Sequence, residues 1–185
     1  IDENRLHGKA GKSRFNLKTL PVEDLTKFPE NTESQAKITV KQKELKQLLF
    51  LVQYAMAQQD IRYYLNGLLL LMEENQLKVV ATDGHRLAFA VLVLDVPQEK
   101  REVILPRKVV LELAKQLNDS EEAVIVELLQ NQVRFTFSNV ALISKVVDGK
   151  FPDYNRVIPT GYQKHFAGNR LLFLQTFKRA SIRVN

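Results

Sequence analysis

The sequence contains neither cysteine nor tryptophan, and it has only three histidines, seven glycines and six prolines. The lack of cysteine excludes disulfides, thiolate metal sites and a thiol nucleophile, which fits a reducing compartment. There is no run of about eighteen uncharged apolar residues and no charged-then-apolar leader, so we expect neither a membrane span nor a signal peptide. Because 45% of the 185 residues are hydrophobic, the sequence predicts a globular protein of the cytoplasm.

The formal net charge of +6 lies mostly in the second part of the chain, where residues 101–185 hold thirteen Lys or Arg and eight Asp or Glu. A basic balance favours a polyanionic partner such as nucleic acid, because each neutralised phosphate releases counterions. Many basic domains bind no polyanion, so charge suggests a nucleic-acid partner without deciding it.

A strand-helix-three-strand pattern occurs twice in the middle of the chain, roughly 64 residues apart. The first copy has a strand at 38–40, a helix over 41–57, and strands at 63–72, 77–82 and 86–94, with turns at 73–76 and 83–84. The second has a strand at 103–105, a helix over 106–118, and strands at 123–129, 132–138 and 141–147. We therefore predict an α+β domain with two adjacent helices on one face of antiparallel sheet.

The flanks are too short to form cores of their own. At the start we predict a turn over residues 8–11, a strand over 14–20 and a linker over 21–37, and near the end a helix over 171–182. The chain is therefore expected to be a piece of a longer polypeptide. The predicted helices also carry basic side chains on their polar faces, for which a simple solvated surface is an equal alternative.

Three strings in the sequence carry a resemblance to a known family. They are Tyr64-Leu65-Asn66-Gly67, the segment ATDGHRLA at 81–88, and VDGKFPDY at 147–154. Together they resemble the bacterial DNA polymerase III beta subunit family, the sliding clamps that encircle DNA. The resemblance implies a DNA-clamp fold, with 1–37 as the end of a first domain plus linker, 38–153 as a complete second domain, and 154–185 as the start of a third.

The resemblance implies a processivity factor without catalytic residues, metal or cofactor, which closes as a head-to-tail homodimer around duplex DNA. Helix residues on the inner face would contact phosphates without reading sequence. The loop at 59–64 would stack single-stranded bases, although one of its tyrosines could equally pack inward. The DNA-binding candidates are Lys43, Lys46, Gln59, Arg62, Tyr63, Tyr64, Arg107, Lys108 and Lys115.

The resemblance also implies a cleft between the second and third domains. There the polymerase III alpha subunit, the clamp loader and repair polymerases would insert short hydrophobic peptides. The matching positions are Leu65, Thr82, Gly84, His85, Arg86, Leu87, Pro152, Arg156 and Val157. Leu65, Leu87 and Val157 would provide apolar walls. Asn155 departs from the family pattern, where a second basic residue is expected.

Two other functions are alternatives. Asp83 and His85 could serve a metal-dependent hydrolase, but His7 and His165 lie in the flanks without metal-ligand spacing. A basic nucleic-acid-binding domain of another kind would need a helix-turn-helix, zinc-finger spacing or an RNA-binding aromatic strand, and the sequence has none of these signals.

Overall fold

The computed structural model describes residues 5–21, 33–161 and 163–182. The chain forms two compact units, Ile1–Phe151 and Pro152–Asn185. In the first unit the strands are β1 Arg5–Ala10, β2 Ser13–Lys18, β3 Ala36–Lys41, β4 Gly67–Thr82, β5 Leu87–Pro106, β6 Ala123–Leu128, β7 Gln132–Phe137 and β8 Val140–Lys145. Its helices are α1 Gln42–Val52 and α2 Arg107–Gln116, and the second unit contains α3 Arg170–Ser181.

β1 and β2 form an antiparallel hairpin whose side chains are mostly exposed. The predicted strand over 14–20 corresponds to β2, but the turn predicted over 8–11 is wrong in extent. Its true position is Gly11–Lys12, where Gly11 adopts a φ of 59°. β1 was missed because its polar and glycine-containing sequence gives no period-two apolar signal. Most of the predicted linker, residues 22–32, lies outside the described residues.

The two predicted helices of the central region are confirmed, with earlier ends. α1 stops at Val52 and continues as a 3-10 turn over Gln53–Ala55, whereas the sequence predicted a helix to residue 57. α2 begins directly after Pro106, whose fixed φ and missing N–H suit the start of a helix. The strand predicted from residue 63 is wrong at its start, because Tyr63–Leu65 is a 3-10 turn.

The long strand β4 reverses direction near its middle. In a straight strand, Glu73 and Lys78 would lie roughly 16 Å apart on opposite faces. Lys78 Nζ nevertheless donates to Glu73 Oε2 at 2.9 Å, and Glu74 has a positive φ of 52°. The chain must therefore fold back at the predicted turn 73–76, which places segments 67–72 and 77–82 side by side.

The two copies of the repeat exchange their first strands. β3, which opens the first copy, pairs antiparallel with β6 of the second, in a four-stranded sheet of order β3-β6-β7-β8. Conversely, residues 101–106 of β5, which open the second copy, pair antiparallel with 67–72 of β4, and 87–93 pair with 76–82. A bridge between Ile104 and Val147 connects the two sheets. The predicted pseudo-symmetric α+β architecture is thus confirmed.

α1 and α2 contact each other, and both pack against β4 and β5. The apolar helix residues with 0% exposure are Leu45, Leu49 and Val52 of α1 and Val110 and Leu113 of α2, and Leu48 of α1 is 4% exposed. These positions repeat every three or four residues, so each helix turns one apolar stripe toward the sheets. The opposite faces stay available to solvent.

Candidate functional site

The turn between β4 and β5, residues 83–86, is shaped by Asp83 and Thr82. Asp83 Oδ1 accepts from the backbone N–H groups of His85 and Arg86, each at 3.0 Å, and Oδ2 accepts from Arg86 Nε at 3.0 Å. Thr82 Oγ1 donates to the Arg86 carbonyl at 2.7 Å and accepts from Gly84 N–H at 3.1 Å. Hydrogen bonds from the backbone N–H groups of His85 and Arg86 lower the pKa of Asp83. The turn is therefore a rigid, local structure.

The loop before β4 lies against this turn. Gly84 has a φ of +89°, and a Cβ at this position would lie 3.0 Å from Nη2 and 3.2 Å from Nη1 of Arg62. Arg62 is itself held by Asp60, whose Oδ1 accepts from Nε at 3.0 Å and whose Oδ2 accepts from Nη2 at 2.8 Å. Because Gly84 has no side chain, another group can approach its backbone closely. The group that approaches it in the structure is the Arg62 guanidinium.

A second contact joins the turn to the end of α1. The Arg86 guanidinium carbon lies 5.6 Å from the centroid of the Tyr54 ring, a cation-π distance. Sequence reasoning missed both Tyr54 and Asp60. An Asp-x-Arg spacing is a signal that could have identified Asp60, whereas Tyr54 follows an amphipathic helix and carried no distinguishing pattern.

The predicted apolar walls differ in exposure. Leu65 is 2% exposed, so it forms part of the core and presents almost no surface, while Leu87 is half-buried. In the second unit, Pro152, Arg156 and Val157 are exposed. Arg156 Nε lies 3.0 Å from Asp153 Oδ2.

The predicted DNA-binding side chains of the helices have different surroundings. A groove lined by residues of both helices includes Lys43 and Lys46, but Lys43 forms an ion pair with Glu121. Arg107 is half-buried and its Nη1 donates to the Met56 carbonyl at 3.2 Å, which gives it a structural role. Lys108 and Lys115 are exposed on α2. They are more exposed than Lys43, Lys46 and Arg107, which are half-buried.

The loop tyrosines form an edge-to-face pair with ring centroids 6.0 Å apart. Tyr63 is 58% exposed and Tyr64 is half-buried. A Cβ at Gly149 would lie 3.6 Å from Tyr63 Cε2 and 3.7 Å from Tyr64 Cβ, so both residues contact the segment that follows β8. Tyr63 is the more exposed of the two rings, and Gln59 of the same loop is also exposed.

Residues 39–153 match the family model described as DNA polymerase III beta subunit, central domain. The chain belongs to the DNA polymerase III beta subunit family. A beta sliding clamp from Pseudomonas putida is 46% identical over 188 residues, a match that covers all of this chain and 50% of the relative. The chain spans about half the length of the curated relatives it matches.

Solved structures show the same likeness to the beta subunit family. The DNA polymerase III subunit beta from Pseudomonas aeruginosa superposes with a TM-score of 0.87 at 43% identity, covering 97% of this chain and 49% of that one. A sliding clamp from the same organism bound to griselimycin gives a TM-score of 0.84 at 43% identity, covering 98% and 49%. These matches confirm the DNA-clamp fold.

The hydrolase alternative finds no support in this beta subunit family member. Among the described residues, no three His, Asp or Glu side chains converge where a metal ion could bind. His85 is exposed, and the Asp83 carboxylate is occupied by hydrogen bonds of the turn. Across the same described ranges, no helix is both long and apolar enough to cross a membrane.

Proposed function

We propose that the chain is the central portion of a bacterial sliding clamp subunit, a cytoplasmic processivity factor that tethers the replicative polymerase to DNA. The observation that carries this proposal is the strand-exchanged repeat of residues 36–145 together with the family match over 39–153. The role is non-catalytic and requires no cofactor. Residues 1–37 would belong to a first domain, 38–153 to the second and 154–185 to a third.

The proposed DNA contacts are electrostatic and independent of sequence. Lys108 and Lys115 extend from α2 into solvent, and Lys46 lines the neighbouring groove between the helices. Such flexible ammonium groups suit phosphates, because a protein that slides must avoid base-specific contacts. Tyr63 would add a stacking surface for single-stranded bases.

The proposed peptide cleft is centred on the turn 83–86. Leu87 supplies partly exposed apolar surface beside a rim that the hydrogen bonds of Thr82 and Asp83 hold rigid. The resemblance adds Pro152, Arg156 and Val157 of the second unit. Short hydrophobic peptides of the polymerase III alpha subunit, the clamp loader and repair polymerases would be anchored there by a few large side chains.

The proposed ring can be tested by comparing its retention on circular and on linear DNA. In this proposal, two complete polypeptides, each containing this sequence, assemble head to tail and enclose duplex DNA. Once loaded, the ring should stay on closed circular DNA and be lost when the circle is linearised, because it can slide off a free end. Equal retention on circular and linear DNA, measured by gel filtration of the complexes, would contradict the clamp function.

A further inference from the structure

The guanidinium of Arg62 lies between an acidic side chain and the backbone of the turn 83–86. Asp60 binds it through two separate oxygens, at 3.0 Å to Nε and 2.8 Å to Nη2. Its two terminal nitrogens lie so close to Gly84 that even a methyl group there would meet them at 3.0 and 3.2 Å. The Arg62 guanidinium thus contacts the turn, while 47% of the side chain stays exposed to solvent.

Asp60 is well anchored on its other side. Asn66 Oδ1 accepts from Asp60 N–H at 2.9 Å, and Asn66 Nδ2 donates to the Asp60 carbonyl at 2.8 Å. The Asn66 carbonyl in turn accepts from Arg107 N–H at 3.0 Å, at the first residue of α2. The Asp60 backbone is therefore connected through Asn66 to the start of α2. The Asp60 carboxylate in turn binds Arg62, which contacts the turn.

The hydrogen bonds inside the turn are local to residues 82–86, so they determine its shape. Its position relative to α1 and the 59–66 loop depends on contacts from outside. Two of these are the Arg62 guanidinium on Gly84 and the Tyr54 ring beneath Arg86. A binding rim that is held in place before its ligand arrives binds more tightly, because less ordering is left for the binding step.

We propose that Asp60 is a positioning residue for the candidate peptide cleft, because it holds Arg62 against Gly84 and thereby fixes the rim formed by residues 83–86. This inference rests on the proposed peptide-binding function. It also changes the role of Arg62, which the sequence assigned to DNA. Asp60 neutralises the guanidinium and occupies its Nε and Nη2 N–H groups, which weakens its attraction for a phosphate. Peptide binding and DNA binding should therefore respond differently when Asp60 is changed.

The test uses the 185-residue chain with Asp60→Asn, Arg62→Gln and the double variant. The matched control is Glu99→Gln, because Glu99 holds Arg101 at 3.0 Å with the same two-residue spacing. Arg101 pairs with Met72 and lies several residues along the sheet from the Thr82–Leu87 end. The probes are a synthetic peptide with Leu and Phe anchors, titrated by NMR, and a mixed-sequence DNA duplex.

We expect Asp60→Asn to shift the Gly84 and His85 amide signals without peptide and to weaken peptide binding about threefold or more. Binding of the duplex should stay equal or become stronger, since Arg62 is released. Arg62→Gln should reproduce the peptide loss, so the test does not depend on one variant folding well. In the Arg62→Gln background, Asp60→Asn should have no further effect.

Unchanged Gly84 and His85 signals in Asp60→Asn would overturn the proposal, and so would an equal loss of peptide affinity in Glu99→Gln. The proposal would also be overturned if Asp60→Asn weakened peptide binding in the Arg62→Gln background as much as it does in the unaltered chain, because Asp60 would then act without Arg62. If the unaltered chain binds no peptide at Thr82 and Leu87, the cleft function itself fails. The peptide-free signals of Gly84 and His85 would still decide whether Asp60 positions the turn.

Discussion

Single side chains in this protein decide the shape and charge of the turn between β4 and β5. The sequence placed Thr82, Gly84 and His85 in one candidate group, because they stand in a short string. It could not show that Arg62, twenty-two positions before Gly84, completes that group. The hydrogen bonds within a turn are determined by neighbouring residues in the sequence, whereas a contact between two loops depends on how the strands between them are folded.

The pairing of the Asp60 carboxylate with Arg62 should depend on pH, and this dependence can be measured directly. The Arg62 hydrogen bonds lower the pKa of Asp60 from 3.8 to about 2. Because the folded-state pKa lies below the ordinary value, the stabilising pair is complete above pH 3.8 and is lost as the pH falls through about 2. In an NMR titration, the Asp60 carboxyl carbon and Arg62 Nε–H should change together, near the lower value. A midpoint at 3.8 would show that the pair does not form.

Thr82 offers a second test at the residue scale. Thr82→Val keeps the volume and the β-branched shape but removes the hydroxyl that bonds both Arg86 and Gly84. We expect the free energy of unfolding to fall by about 1–2 kcal/mol, measured by urea denaturation. Thr82→Ser retains the hydroxyl, so its free energy of unfolding should fall clearly less. Equal losses in the two variants would show that the methyl group, and not the hydrogen bonds, stabilises the turn.

At the scale of helices and strands, hydrophobic periodicity predicted which residues are buried better than it predicted the backbone conformation. Ala55 and Met56 continue the apolar stripe of α1 and are buried, as the spacing indicates, yet the chain has already left the α-helix at Val52. The repeat was visible in the sequence because each copy keeps the same order of apolar segments. The exchange of β3 and residues 101–106 between copies was not, since strand pairing over this distance leaves no local signal.

The helix α2 provides a matched pair for testing its packing. Leu113 has 0% exposure and Leu111 has 42%, so the same substitution samples the buried and the exposed face. Leu113→Ala should cost ~2–5 kcal/mol of unfolding free energy, because it removes buried methyl groups and leaves a cavity. Leu111→Ala should cost well under ~1 kcal/mol in the same urea titration. Similar losses would mean that α2 does not present its predicted face to the sheets.

At the scale of the whole molecule, we expect DNA binding to depend more on where the charges lie than on their sum. Lys108→Ala with Lys115→Ala removes two exposed cations from α2. If these side chains contact phosphates, the slope of log affinity against log salt should become shallower by roughly two units. The control is Lys37→Ala with Lys100→Ala, which removes the same charge from β3 and β5. An equal change of slope in both double variants would mean that DNA senses only net charge.

The proposed peptide cleft is also considered at this scale, since the resemblance implies residues of both compact units. A peptide with Leu and Phe anchors should shift NMR signals of Thr82, Leu87, Pro152 and Val157 and leave those of Lys108 and Lys115 unchanged. Binding to this chain should be weak, because a partly built pocket buries less apolar surface, at about 25 cal/mol per Å². In the complete polypeptide the affinity should rise tenfold or more, equivalent to ~1.4 kcal/mol or above.

Two substitutions then separate this cleft from the DNA surface. Leu87→Ala or Val157→Ala should lower the affinity for the peptide. Neither should change the salt-dependent binding of duplex DNA, because neither residue lies on the cationic helices. Val93→Ala is the matched control, since Val93 is a 75%-exposed apolar residue at the far end of the strand segment that begins with Leu87. If Leu87→Ala and Val157→Ala both leave peptide affinity intact, or if peptide shifts appear at Lys108 and Lys115, the cleft must be sought elsewhere on the same fold.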